Sequence, residues 1–137
     1  MTYRPFYSPG YSALFFSTDP AASERVFSGA CNVFVCGALQ NPAEMSALLG
    51  LEPPFAPAVA TGYRRSVERV DGREVPFMVD DAGDPRNVLT GVVWLDLTRE
   101  NLERIESLEL GGGFRERISI EARIGELKLT AYTYVKK

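Results

Sequence analysis

The sequence feature that most restricts the fold is a short apolar run that leads directly into the start of a helix. Residues 32–37 read NVFVCG, and a continuous apolar segment ending in glycine is typical of a central strand buried on both faces. The next segment, NPAEMSALLG, predicts a helix with Asn41 as its N-cap, Pro42 in its first turn and Gly50 at its end. The chain is therefore expected to pass from a buried strand, through a glycine turn, into a helix N-terminus.

The rest of the chain predicts mostly antiparallel strands. Asp71-Gly72 marks a tight hairpin, NVLTGVVWLDL predicts a long strand, and Thr98 is placed to cap a second helix. Two more strands follow, on either side of a turn at RIGE. About six strands and two helices predict an α+β fold, in which a small, mixed, mostly antiparallel sheet is strongly curved or closed into a barrel and flanked by helices.

The first 30 residues are harder to interpret than the remainder. The segment ALFFS predicts a strand, and PAASERVF predicts a short helix that begins at Pro20. We expect residues 1–30 to form an N-terminal extension, an arm over the core or at a subunit contact. Residues 31–137 are expected to form the main domain.

The size and charge of the chain limit its class. A chain of 137 residues fits one domain with a real hydrophobic core. Its net charge of −3 favours neither nucleic acid nor an anionic membrane. No apolar run approaches the ~18 residues of a membrane span, and the N-terminus lacks a cationic leader followed by an apolar stretch. We expect a cytoplasmic protein with no nucleic-acid or membrane partner.

The absence of histidine restricts the chemistry further. Without it, Ser-His and Cys-His catalysis are excluded, and the commonest zinc ligand is missing. Cys31 and Cys36 are five positions apart on one predicted strand, which places them on opposite faces and roughly 16 Å apart, so they are not expected to bridge. Acid–base work would therefore fall to carboxylates.

Glu109 is the carboxylate in the most unusual position. At about 100° per residue, Leu102, Ile105 and Glu109 share one apolar helix face, just before the glycines at 111–113. Burial there and the negative end of the helix dipole would both raise the pKa of Glu109, as general acid–base work at neutral pH requires. The alternative is that the last turn frays and Glu109 turns into water. Glu106, at the edge of the face, is expected to point to solvent.

The turn CGALQNP is the second candidate site. A strand that feeds a helix N-terminus through glycine presents unpaired backbone N–H groups, which favour an anion, and Gly37 allows a ligand to approach closely. The alternative is a plain turn, with Gly37 required for its φ angle and Cys36 as a small buried residue rather than a nucleophile. The arginines of GYRR and RER would hold a substrate carboxylate bidentately, or else belong to solvated strand faces.

The order of these elements, from about Val33 to Val135, resembles the γ-glutamylcyclotransferase-like family, which includes the AIG2-like proteins. The segments that carry the resemblance are VFVCGALQNPAEMSALLG, ATGYRR, VPFMV, LTGVVWLDLTRENLERIE, IESLELGGGFRERISI and TAYTYV. The resemblance implies a compact, mixed β-barrel with helices packed around it. It also implies a pocket between the CGAL turn and the glutamate at the helix end.

The resemblance also implies a function. Family members release an amine or amino acid from a small γ-glutamyl substrate and leave 5-oxoproline, a transferase or lyase reaction of amidine-lyase or acyl-transfer type that needs no metal or cofactor. In the family the helix-terminal glutamate is the catalytic acid–base, and the matching residue is Glu109. The implied substrate-binding residues are Val35, Cys36, Gly37, Ala38 and Leu39. The resemblance leaves the oligomeric state open, a homodimer included.

The chain departs from the family at several pocket positions. The departures are Cys36 for a tyrosine, Ala38 for a small hydroxyl residue, Gln40 for arginine, lysine or asparagine, Leu110 for glycine and Phe114 for a tyrosine. These changes remove polar contacts from the expected pocket. The alternative function is therefore a catalytically degenerate member that binds a small molecule or acts as an interaction protein, whereas retention of Glu109 favours an enzyme.

Overall fold

The computed structural model describes residues 4–7, 14–17, 31–81 and 84–137. The strands are β1 (Arg4–Tyr7), β2 (Leu14–Ser17), β3 (Cys31–Val35), β4 (Phe55–Thr61), β5 (Tyr63–Val70), β6 (Arg73–Asp80), β7 (Val88–Leu97), β8 (Arg115–Ile124) and β9 (Leu127–Lys136). The helices are α1 (Pro42–Leu49) and α2 (Arg99–Glu109), and a 3₁₀ turn, Ala38–Gln40, separates β3 from α1. The helix predicted for PAASERVF lies outside the described residues.

Five strands close into a barrel in the order β4-β7-β3-β9-β8, with β8 returning to β4 where Val59 pairs with Arg123. The β3–β9 pairing is parallel, and the other barrel pairings are antiparallel. The predicted mixed, mostly antiparallel barrel flanked by helices is therefore confirmed. β5 and β6 form a separate two-stranded sheet.

The described part of the N-terminal segment is also sheet. β1 pairs antiparallel with β2, and β2 continues the main sheet beside β4, where Phe16 is opposite Phe55. The strand predicted for ALFFS is thus present as β2. The division into an arm and a main domain at residue 30 remains a prediction.

Local sequence signals explain the ends of the elements. Asp71 and Gly72 both have positive φ angles, 50° and 78°, as the tight β5–β6 hairpin turn requires. The Asn41 side chain accepts a hydrogen bond from the Ala43 amide at 2.9 Å at the start of α1, and Gly50 ends that helix at φ 71°. Thr98 caps α2. The predicted starts of both helices are confirmed.

The core has two layers, separated by β3. The barrel interior contains Phe34 and the small inward-facing alanines of β4, whereas Val33 and Val35 face the layer under the helices. Cys31 packs against the helix layer and Cys36 against the barrel interior, so the cysteines are on opposite faces as expected, and both are free. Within the described residues, neither helix is long and apolar enough to cross a membrane.

Candidate active site

A cleft of about 310 Å³ lies where the turn after β3 faces the end of α2. The side of the cleft opposite the turn is formed partly by the β5–β6 hairpin, which contributes Arg65, Pro76, Phe77 and Met78. All the site residues expected from the sequence line this cleft: Val35, Cys36, Gly37, Ala38, Leu39 and Glu109. The fold therefore brings the two predicted candidate sites together in one cavity.

Hydrogen bonds hold the turn that lines the cleft, one from a buried side chain and others within the turn. The buried indole N–H of Trp94 donates to the Leu39 carbonyl at 3.0 Å. The turn's own backbone bonds start at Gln40, whose amide donates to the Gly37 carbonyl at 3.1 Å. The amides before Gln40 are not used inside the turn, as is usual for the first residues of a helical turn, so they are available to an anionic ligand.

Neither the φ angle of Gly37 nor the packing around it explains the glycine. Its φ angle is −113°, which lies outside the left-handed region, so the φ-based alternative is wrong. A Cβ built at Gly37 would meet no atom within 4 Å. Because Gly37 lines the cleft, the missing side chain leaves backbone open to whatever occupies the cavity.

Glu109 is the last residue of α2 and its side chain is 23% exposed. Leu102 and Ile105 on the same face are buried, and the helix does not fray, because the Leu110 amide still donates to the Glu106 carbonyl at 2.8 Å. Burial raises the pKa of the Glu109 carboxyl, and the nearby charge of Arg115 lowers it by a smaller amount. A carboxyl whose pKa is raised in this way holds a proton more readily than an exposed one, which suits a group that must both accept and donate a proton.

Arg115 reaches Glu109 but is not committed to it. Its Nε lies 3.9 Å from Glu109 Oε2, which is a loose ion pair. Its terminal nitrogen donates to the Pro76 carbonyl at 2.8 Å, and its guanidinium lies 4.6 Å from the centre of the Phe77 ring. Arg115 therefore joins the hairpin to the barrel and places a fixed positive charge beside the carboxyl.

Two neighbouring residues of β9, Thr133 and Tyr134, also line the cleft. Thr133 donates its hydroxyl to the Phe34 carbonyl at 2.9 Å, where β9 runs beside β3. Tyr134 is 5% exposed, and its hydroxyl lies near Glu106 without a hydrogen bond of normal geometry to the described residues. Burial, and then Glu106, raises the pKa of the Tyr134 hydroxyl, which stays protonated. The alternating pattern of β9 predicts that these two neighbours point to opposite faces of the strand, but not what either one contacts.

Two expectations about neighbouring side chains have different outcomes. Burial raises the pKa of the Cys36 thiol, which suits a small inert residue and not a nucleophile. Glu106, expected to point to solvent, is instead only 22% exposed and pairs with Arg117 at 2.7 Å. Among the described residues, no cluster of three or more acidic or cysteine side chains is placed to hold a metal ion.

Comparison with known proteins gives a family for this architecture. Residues 33–137 match the family model described as γ-glutamyl cyclotransferase, AIG2-like. No curated protein matches the chain significantly. The solution structure of At5g39720.1 from Arabidopsis thaliana is similar over 77% of this chain and 68% of that one, with 27% identity and a TM-score of 0.63.

Two further solved structures share the fold at lower identity. One is a γ-glutamyl cyclotransferase with 15% identity and a TM-score of 0.67, which covers 78% of this chain and 66% of its own. The other, from yeast, is a γ-glutamyl cyclotransferase specific to glutathione, with 13% identity and a TM-score of 0.59 over 77% of this chain and 68% of its own. At these identities the likeness supports the fold alone.

Proposed function

Because the chain belongs to the γ-glutamyl cyclotransferase, AIG2-like family, we propose that it is a cyclotransferase-type enzyme that acts on a small γ-glutamyl substrate. The reaction releases an amine or amino acid and forms 5-oxoproline, with Glu109 as the general acid–base. The observation that carries this proposal is the position of Glu109, shielded at the end of α2, in the same cleft as the glycine turn after β3.

Glu109 suits both proton transfers of such a reaction. As a carboxylate it takes a proton from the substrate's α-ammonium, and the freed amine attacks the γ-carbonyl carbon to form the new C–N bond. As the old γ-amide C–N bond breaks, the protonated Glu109 donates to the departing nitrogen. The α-ammonium loses two protons overall, and the leaving amine gains two to depart as an ammonium ion, so the reaction balances without an external acid or oxidant.

The remaining acceleration comes from geometry. The nucleophile and the carbonyl belong to one molecule, so a cleft that keeps the glutamyl chain folded replaces a bimolecular encounter with an intramolecular one. The free amides of the turn, at Gly37, Ala38 and Leu39, would hold the glutamyl carboxylate or the developing oxyanion. Because the Trp94 indole holds the Leu39 carbonyl, these donors are fixed before the substrate arrives.

The alternative is a family member that binds a small molecule or a partner without turnover. The observation that favours it is the character of the turn, in which Cys36 and Ala38 contribute no hydroxyl group to the cleft. Both functions predict binding in the cleft, but only the enzyme requires the carboxyl of Glu109 to exchange protons.

The test is incubation with a panel of γ-glutamyl compounds while 5-oxoproline is measured. The matched variants are Glu109→Gln and Glu103→Gln, because Glu103 lies on the same helix but its side chain is 65% exposed. We expect product from wild type and Glu103→Gln, and a loss of about 10²- to 10⁴-fold in Glu109→Gln. Equal rates in both variants would remove Glu109 from the mechanism, and no product from any compound would favour the binding protein.

A further inference from the structure

The cleft contains two arginines in very different states. Arg115 is held by the Pro76 carbonyl and the Phe77 ring and lies beside Glu109. Arg65 lies on β5 and makes no hydrogen bond or ion pair with any described residue, although its side chain lines the cleft. One cation of the cleft is thus already committed to protein groups, and the other is not.

The hairpin register explains why Arg65 faces the cavity and its neighbour does not. Arg65 is opposite Met78, which lines the cleft, whereas Arg64 is opposite Val79 and its Nε lies 4.0 Å from an Asp81 oxygen. Since side chains alternate along a strand, Arg64 belongs to the other face of the hairpin. The pair Arg64 and Arg65 therefore provides one cation outside the site and one within it.

Arg65 extends toward the glycine turn. Among the charges that act on the Cys36 thiol, Arg65 has the largest effect on its pKa, ahead of Glu109 and Arg115. Much of the cleft lining that Arg65 shares is apolar, and it includes Phe34 and Met78. An ionic contact made there would be only partly screened by water.

The charge balance of the cleft favours an anion. Its lining has two arginines, Arg65 and Arg115, and one acidic residue, Glu109. The lining is therefore net positive whether Glu109 is ionised or protonated, although the whole chain is net negative at −3. A planar guanidinium that pairs with no group in the described part of the chain is suited to bind a carboxylate through two parallel hydrogen bonds.

We propose that Arg65 binds a carboxylate of the ligand in this cleft and determines its specificity. The inference rests on the proposed function for the identity of the ligand. A γ-glutamyl amino acid offers two carboxylates, one on the glutamyl unit and one on the leaving group, whereas a γ-glutamyl amine offers only the first. The same chemistry would recognise either group.

Two substrates that differ by one carboxylate test the assignment, γ-glutamylglycine and γ-glutamylmethylamine. Each is assayed for 5-oxoproline with wild type, Arg65→Gln, Arg65→Lys and the control Arg64→Gln. We expect Arg65→Gln to raise KM for γ-glutamylglycine by about 10- to 100-fold with kcat nearly unchanged, because the lost contact is made equally in the ground and transition states. Arg65→Lys should recover part of the loss, and Arg64→Gln should behave as wild type.

The pattern across the two substrates identifies the carboxylate. A rise in KM for γ-glutamylglycine alone assigns Arg65 to the leaving group, and an equal rise for both substrates assigns it to the glutamyl carboxylate. If KM for both substrates is the same in Arg65→Gln as in Arg64→Gln, the inference is wrong while the proposed function stands.

Calorimetric binding of γ-glutamylglycine separates the inference from a failure of turnover. If no product forms but Arg65→Gln binds at least about tenfold more weakly than Arg64→Gln, the proposed function fails and the role of Arg65 stands. Equal affinities of the two variants, or no binding to wild type, would overturn the role of Arg65.

Discussion

Two carboxylate–arginine pairs join α2 to β8, one helical turn apart, and they differ in almost every respect except burial. Glu106 and Arg117 form a close ion pair at 2.7 Å, whereas Glu109 and Arg115 approach only to 3.9 Å. The two glutamates are equally shielded, at 22% and 23% exposure. Burial alone therefore does not distinguish a structural carboxylate from a candidate catalytic one.

The two arginines differ in the acceptors to which their terminal nitrogens donate hydrogen bonds. Arg117 gives its terminal nitrogen to Glu106, and the pKa of Arg117 is raised by that bond. Arg115 gives its terminal nitrogen to the Pro76 carbonyl instead, so that only its Nε approaches Glu109. The Glu106 carboxylate is therefore closely paired, whereas the Glu109 carboxyl is only loosely paired and lines the cleft.

The largest difference between the two pairs should appear when the glutamate of each is replaced by glutamine and the rate of the reaction is measured. Under the proposed function, Glu109→Gln lowers kcat/KM for 5-oxoproline formation by about 10²- to 10⁴-fold, because no other acid–base group of the described cleft replaces it. Glu106→Gln should remain close to wild type, since Glu106 does not line the cleft. Similar losses in the two variants would mean that both carboxylates act at one site.

The position of Glu109 could be predicted from the sequence, whereas the Glu106–Arg117 pair could not, and the reason is physical. The position of Glu109 follows from the helical period set by Leu102 and Ile105, which is local. The Glu106–Arg117 pair depends on how β8 lies against α2, and that register is decided by barrel closure between residues far apart in sequence. Local periodicity carries no information about such a contact.

The same limit applies to the walls of the cleft. The β5–β6 hairpin was predictable from Asp71-Gly72, because the turn chemistry is local. Its placement against the barrel was not, since this placement involves contacts between residues far apart in sequence, such as the bond from Arg115 to the Pro76 carbonyl. For this reason Arg65 could be named as a candidate cation from the sequence, but its separation in role from Arg64 required the structure.

Replacement of the two arginines should have different effects on the pH dependence of the reaction. The positive charge of Arg115 lowers the pKa of Glu109, so Arg115→Gln leaves burial unopposed and the pKa of Glu109 rises further. Because the reaction begins with the carboxylate, the acidic limb of the kcat/KM profile should move to higher pH. Arg117→Gln should leave that limb in place, and a shift toward lower pH in Arg115→Gln would contradict the assignment.

Stability should respond to the two glutamine substitutions with opposite signs. Burial raises the pKa of Glu109 in the folded protein above its value in the unfolded chain. Below the unfolded pKa the carboxyl is protonated in both states and carries no penalty. As the pH rises through the folded pKa, the buried carboxyl ionises and that stability is lost. Glu109→Gln should therefore have a larger free energy of unfolding than wild type at neutral pH, with the gain shrinking toward about pH 4. Urea denaturation at both pH values measures this.

Glu106→Gln should instead lower the free energy of unfolding at neutral pH, by about 0.2–1 kcal/mol, because it removes a partly exposed ion pair. A gain in both variants would show that the Glu106–Arg117 pair costs as much to desolvate as it contributes. A loss in both would show that the Arg115 charge compensates fully for the burial of Glu109.

The smallest effect is expected at Tyr134, whose hydroxyl is close enough to both glutamates for their charges to raise its pKa. Its pKa is affected more by Glu106 than by Glu109, so Tyr134→Phe should leave the acidic limb of the rate profile unchanged. Because the buried hydroxyl has no hydrogen bond of normal geometry to the described residues, its removal should change the free energy of unfolding by less than about 1 kcal/mol. Thr133→Val is the matched control, since it breaks the bond to the Phe34 carbonyl. A greater loss of stability in Tyr134→Phe than in Thr133→Val would indicate that the tyrosine hydroxyl interacts with Glu106 and is a third member of the Glu106–Arg117 pair.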